Sequence, residues 1–164
     1  MERHLYTLLI IVTLFTLNLK AQNDSYSKNS IYFELGGTAG HYSIKYDRII
    51  FKKNLLAITG NIGFSPSLIP FVNGSEKLEF EPRIPMQINM LIGKRQHYFK
   101  YGLGFTPYKN SNQNMRYAFF PVLIGYQYRK IDHGLYISFE FMPLYYEEKI
   151  DIYPWFGIGL GYSF

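Results

Sequence analysis

From Ile31 to Phe164, large apolar side chains recur at every second position in eight successive runs. Neighbouring side chains of an extended strand point to opposite faces, so each run predicts a strand with one greasy face and one small or polar face. The runs are IYFELGGT (31–38), HYSIKYDRI (41–49), LLAITGNIGF (55–64), RIPMQINMLIG (83–93), HYFKYGLGF (97–105), about 116–129, GLYISFEFM (134–142) and WFGIGLGYSF (155–164). In the fourth, Ile84, Met86, Ile88, Met90 and Ile92 oppose Gln87 and Asn89. The last is the most lopsided, with Phe156, Ile158, Leu160, Tyr162 and Phe164 on one face and Gly157, Gly159, Gly161 and Ser163 on the other.

The connections alternate in length. FKKN, KRQ and KIDH are short, whereas SPSLIPFVNGSEKLEFEP, TPYKNSNQNM and PLYYEEKIDIYP are long, with TAG the short exception on the long side. Short turns at one end and long loops at the other describe an all-β, eight-stranded antiparallel up-and-down transmembrane β-barrel. Pro85, Pro121 and Pro143 each remove a ladder donor and are expected at rim bulges or kinks of the upper wall.

The second face decides which side points inward. A soluble ligand-binding barrel would turn its aromatics in and a dense Lys/Glu surface out. Here the second face carries Gly, Ser, Asn and Gln with three acids, Glu34, Asp47 and Glu140, and three bases, Lys45, Lys100 and Arg129. Such a set suits a narrow lumen whose charges neutralise one another. The bare glycines of the last strand would leave room there for Tyr32, Tyr136 and the long ionic side chains. The Ile/Leu/Phe/Tyr face then meets hydrocarbon, and an interior filled by its own side chains makes an open pore an unfavoured reading.

Composition agrees with strands: 16 Tyr, 14 Phe and 14 Gly stand against a single Trp. Before them, MERHLYTLLIIVTLFTLNLKAQ reads as a signal peptide over 1–21, with Arg3 and His4 ahead of an apolar run and Ala21 at the cleavage point. Residues 22–30 form a polar lead-in and 31–164 the barrel. Loss of Arg3, Lys20 and Glu2 lowers the formal charge from +5 to +4, too mild for nucleic acid and without a basic block. The chain has no Cys, hence no disulfide framework and no thiolate metal site.

Candidate chemistry is sparse. His41 and Ser43 form an H-x-S that Glu34 or Asp47 could extend to a triad, but on an inward face it could not meet an acyl chain. His97 and His133 lie in or beside separate short turns, so neither a metal nor a cofactor is expected. Lys52, Lys53, Lys94, Arg95, Arg129 and Lys130 mark the short-turn side and read first as solvated turns. FVNGSEKLEF (71–80) and LYYEEKIDIYPW (144–155) mix aromatics with charge, as surfaces that contact an extracellular protein or glycan do, and as loops at a lipopolysaccharide boundary do without any partner.

With these runs and the ending Phe156, Ile158, Leu160, Tyr162, Phe164, the chain resembles small eight-stranded outer-membrane barrel proteins of the OmpA/OmpX-like, porin-type kind of Gram-negative bacteria. The resemblance covers roughly 29–164. It implies that the last strand is a signal to the barrel-assembly machinery, and that the partners are outer-membrane lipid and lipopolysaccharide. No peptidoglycan-binding domain is expected after the barrel. The resulting expectation is a monomeric, non-enzymatic integral protein of the cell outer membrane, structural or interacting through its long loops. A lipid A deacylase-like enzyme, a secreted lipocalin-like binder and a small channel stay as alternatives.

Overall fold

The computed structural model describes residues 26–66, 68–69, 79–80, 82–110, 115–146 and 151–164. The expected leader, most of the FVNGSEKLEF loop and the tip of LYYEEKIDIYPW lie outside them. Strands β1 (Asn29–Gly36), β2 (Tyr42–Lys53), β3 (Leu56–Phe64), β6 (Met86–Lys94), β7 (His97–Asn110), β9 (Val122–Arg129), β10 (Gly134–Tyr146) and β11 (Asp151–Ser163) form a closed eight-stranded antiparallel up-and-down barrel. β4 (Leu68–Ile69) and β5 (Glu79–Phe80) make a separate two-stranded ribbon, and β8 (Met115–Phe119) pairs with the upper part of β7. Each wall strand pairs with its neighbour along the chain, and β11 returns to β1 through Ile31↔Tyr162, Phe33↔Leu160 and Leu35↔Ile158. Closure leaves the wall no free edge.

The period-two pattern translates directly into burial. Ile31, Phe33 and Leu35 are exposed while Tyr32 and Glu34 are buried, and the same alternation holds around the ring. Among the described residues nineteen buried side chains are polar or charged and nine are hydrophobic, whereas thirty large apolar side chains are exposed. The barrel is therefore polar inside and apolar outside, the reverse of a water-soluble core.

Several boundaries differ from the sequence expectation, each for a local reason. The first strand stops at Gly36 instead of running to Thr38, because Gly36 (φ 71°) and Gly37 (φ 66°) turn the backbone into a short 3-10 segment, Gly37–Ala39. β2 runs on to Lys53, so the turn to β3 shrinks to Asn54–Leu55, with Asn54 in the left-handed region at φ 53°. The one register shift of the β2–β3 ladder lies between Ile49 and Phe51 and involves no proline.

The prolines act otherwise than as bulges. Pro85 precedes β6 and offers its carbonyl to Gly63 N–H at 2.8 Å; Pro121 sits in the gap between β8 and β9 and does the same for Gly104, also at 2.8 Å. Pro143 stands opposite Pro154 in the β10–β11 pair. The stretches expected as long loops, 106–115 and 143–154, are largely strand, since β7–β8 pair through Asn110↔Met115 and β10–β11 through Tyr146↔Asp151. β10 meets β9 only up to Phe141↔Ile124, and β11 meets β1 only up to Gly36↔Gly157. Pro143 and Pro154 thus fall where the hairpin rises beyond its neighbours, and a missing N–H costs no ladder bond.

Small residues of β11 face a crowded interior. A methyl group at Gly161 would come 2.0 Å from the Ile31 carbonyl oxygen and 2.5 Å from the Tyr32 Cα, both backbone atoms that cannot swing aside. Gly161→Ala is expected to lower stability by about 1–3 kcal/mol, whereas outward-facing Leu160→Ile should change little. Urea unfolding midpoints of the detergent-folded protein check both.

Candidate functional site

The lumen gathers all six ionic residues that the pattern placed there, and it pairs them one to one. Lys45 Nζ lies 2.6 Å from Glu34 Oε2, and Lys100 Nζ lies 2.5 Å from Glu140 Oε1. Arg129 Nη2 pairs with Asp47 Oδ1, and its Nη1 donates to the Lys28 carbonyl at 3.3 Å. The side chains of Glu34, Lys45, Asp47, Lys100 and Glu140 are 0% exposed, so each charge depends on its partner in place of water.

Register explains how the partners reach one another. Glu34 sits opposite Ser43, two residues from Lys45, which makes Glu34 and Lys45 diagonal neighbours on adjacent strands. Lys100 and Glu140 are separated by β9, and the residue between them in register is Gly125. Its missing side chain leaves the lumen open for the pair. In the same way Gly161 lies between Tyr32 and Tyr136, whose rings stack over it with centroids 4.5 Å apart. The expectation that the glycines of β11 make room for these two tyrosines corresponds to this stack.

Neutral amides and hydroxyls join two of the three ion pairs into one network. Thr38 Oγ1 accepts from Lys45 Nζ at 2.9 Å and from Gln87 Nε2 at 3.1 Å. Gln87 Nε2 also donates to Glu140 Oε2 at 3.2 Å, and Gln87 Oε1 accepts from Asn61 Nδ2 at 2.6 Å. Asn61 in turn donates to the Tyr32 hydroxyl at 3.3 Å. Thr38 and Gln87 thus couple the Glu34–Lys45 pair to the Lys100–Glu140 pair, and Asn61 ties Gln87 to Tyr32, roles that strand pattern alone did not reveal. The Gly36-Gly37 doublet was the one available signal, because it turns Thr38 back over the lumen.

Both ends are covered. At the long-loop end the Gly37–Ala39 turn folds inward: Thr106 Oγ1 donates to the Thr38 carbonyl (2.9 Å), Arg83 Nη1 to that of Ala39 (3.0 Å) and Trp155 Nε1 to that of Gly37 (3.1 Å). Gly37 is required here by space as well as by φ, since a methyl group would lie 2.0 Å from Glu34 Oε2. At the other end Ile49, Ala57, Leu91 and Tyr98 form a small apolar layer against which Tyr26 packs. Ser27 ties this segment down, its N–H to the Ile131 carbonyl and its hydroxyl to that of Asp132 at 2.8 Å.

The H-x-S expectation is corrected. His41 lies outside β2 and is exposed, while Ser43 is fully buried on the lumen face, so the two do not share an environment. Glu34 and Asp47, the acids that would complete a triad, are held by Lys45 and Arg129. His97 is exposed and bonds the Tyr126 hydroxyl at 2.6 Å, and His133 is exposed in the β9–β10 turn. Phe156, Ile158, Leu160, Tyr162 and Phe164 are all exposed on the outer face of β11. That strand is paired on both sides, and Phe164 and Asn29 exchange two backbone bonds at 2.8 and 2.9 Å. Any templating by its edge must therefore precede closure.

Comparison with protein-family models, with curated proteins and with solved structures finds no match to this chain.

The pairing scheme is testable by unequal losses. Lys100→Met leaves Glu140 charged and buried, and is expected to cost about 3–5 kcal/mol. Adding Glu140→Gln removes that charge and should restore most of the loss. Denaturant titrations of the two variants and the parent give the comparison; equal losses in the single and double variants would contradict the scheme.

Proposed function

We propose that the protein is a non-enzymatic integral barrel of the bacterial outer membrane, with an envelope-structural role or a surface-interaction role exercised at its long-loop end. The observation that carries this reading is the predominantly apolar exterior. Ile88, Leu103, Ile158 and Leu160 are 66%, 59%, 56% and 60% exposed in the middle of their strands, and Arg48, half-buried on the same face of β2, lies across Gly60 from Ile88. Soluble monomers rarely expose apolar patches beyond a few hundred Å², whereas hydrocarbon solvates such a belt without cost. The closed ladder supports the same reading, because backbone N–H and C=O groups have no water to turn to in a bilayer. The signal-peptide reading of 1–21 supplies the export route.

In this setting the short turns face the periplasm and the longer hairpins face outward. The outer face of β11, from Phe156 to Phe164, is the surface offered to the assembly machinery before the strand closes on β1. Lipid and lipopolysaccharide are the partners of the belt, and an extracellular protein or glycan is the partner of the long-loop end. The paired, covered lumen argues for a structural barrel that does not conduct.

Fractionation and gel mobility test the proposal together. The protein should sediment with outer membranes and resist extraction by carbonate. Without boiling it should migrate differently on a denaturing gel from the heated sample. Recovery in the soluble periplasm, with one mobility before and after heating, would refute it.

A further inference from the structure

The short-turn end carries a cluster of cations that the lumen does not use. Lys52 on β2, Arg95 in the β6–β7 turn and Lys130 after β9 line one small pit of about 10 Å³, together with Tyr26, Tyr98 and the lumen's Arg129. Three separate hairpins thus contribute basic residues to the lining of one pit. Arg129 is committed to Asp47. Among the described residues Lys52, Arg95 and Lys130 have no carboxylate partner, and Asp132 in the β9–β10 turn is the acid of that turn.

Like charges brought together repel, so the arrangement needs a reason. The structure holds it in place at some expense. Arg95 occupies the left-handed region at φ 60°, an uncommon conformation for a long side chain. Lys52 Nζ is held 4.1 Å from the Tyr26 ring centroid and 3.3 Å from the Tyr98 hydroxyl. These contacts favour a cation without neutralising it. The pit has space for about one water, so an anion would seat at its mouth and not within it.

The surroundings point to the source of that anion. Leu55 in the β2–β3 turn is 54% exposed and Phe51 is 47% exposed, so the apolar belt reaches the same end of the barrel as the cations. Lys53 and Lys94, also exposed, extend the positive collar along the rim. A ligand with a negative phosphate and attached acyl chains satisfies both features at once. We infer that Lys52, Arg95 and Lys130 form a binding site for the phosphate of a net-anionic phospholipid in the leaflet at the short-turn end. This rests on the membrane reading above and adds a lipid preference to it.

Native mass spectrometry of the detergent-folded barrel tests the assignment, with phosphatidylglycerol, phosphatidylcholine and inorganic phosphate as the added probes. The parent should retain phosphatidylglycerol at least about tenfold better than phosphatidylcholine, and Lys52→Gln/Arg95→Asn/Lys130→Gln should abolish the preference. Lys130→Gln alone, in an exposed turn, should lower retention severalfold and serves if the triple variant does not fold. Lys53→Gln should have a smaller effect. Equal retention of the two lipids, unchanged preference in the variants, or displacement of lipid by millimolar inorganic phosphate would overturn the site. Flotation with pure phosphatidylcholine vesicles separates the two readings: a barrel that floats yet shows no preference loses only the headgroup site, and one that never enters vesicles loses the membrane reading and this site with it.

Discussion

A charge removed from water must find an opposite charge or a dense set of hydrogen bonds, and the whole interior of this barrel is arranged around that requirement. Three carboxylates and three cations occupy the lumen, and each is paired: Glu34 with Lys45, Glu140 with Lys100, Asp47 with Arg129. The polar neutral residues are placed to serve the pairs. Thr38 receives Lys45 and Gln87, and Gln87 spans the distance between Thr38 and Glu140. Remove one member and its partner remains as a buried, uncompensated ion.

Glycine is the structural counterpart of the ion pairs. An eight-stranded barrel encloses little more than its own side chains, so long residues on one strand require absent ones on the next. Gly125 separates Lys100 from Glu140 in register, and Gly161 separates Tyr32 from Tyr136. The asymmetric face of β11 therefore has two causes: its large residues form part of the apolar belt, and its small ones vacate the lumen. Both mouths of the crowded lumen are covered as well. The Gly37–Ala39 turn closes one mouth by accepting side-chain hydrogen bonds from Thr106 and Arg83 at its carbonyls, and the Tyr26–Lys28 segment closes the other with backbone hydrogen bonds to Ile131 and Ile49.

The wall was legible in the sequence because its period of two is rigid: a slip of one residue would exchange Ile88 for Asn89 on the outer face. All six ionic residues could be assigned to the lumen for the same reason. Their pairing could be anticipated only as a balance of three against three, since partners such as Lys100 and Glu140 sit on strands that are not adjacent. Strand ends were less readable. Proline and polar residues in 106–115 and 143–154 suggested loops, but two-stranded hairpins rising past the wall tolerate proline at positions with no third strand. His41 was misplaced because the alternation was extended back past Tyr42, across a backbone that Gly36, Gly37 and Gly40 had already turned.

Because the chain contains no Cys, single introduced cysteines give unambiguous spin labels. The most direct test of an apolar exterior solvated by hydrocarbon is to label Ile88→Cys, Asn89→Cys, Leu103→Cys and Ile158→Cys in bilayers and compare collision with oxygen, which partitions into lipid, and with a water-soluble nickel complex. Ile88, Leu103 and Ile158 should collide strongly with oxygen and weakly with nickel, and Asn89 should be shielded from both. High nickel access at the three outer positions, or lipid contact at Asn89, would contradict the account.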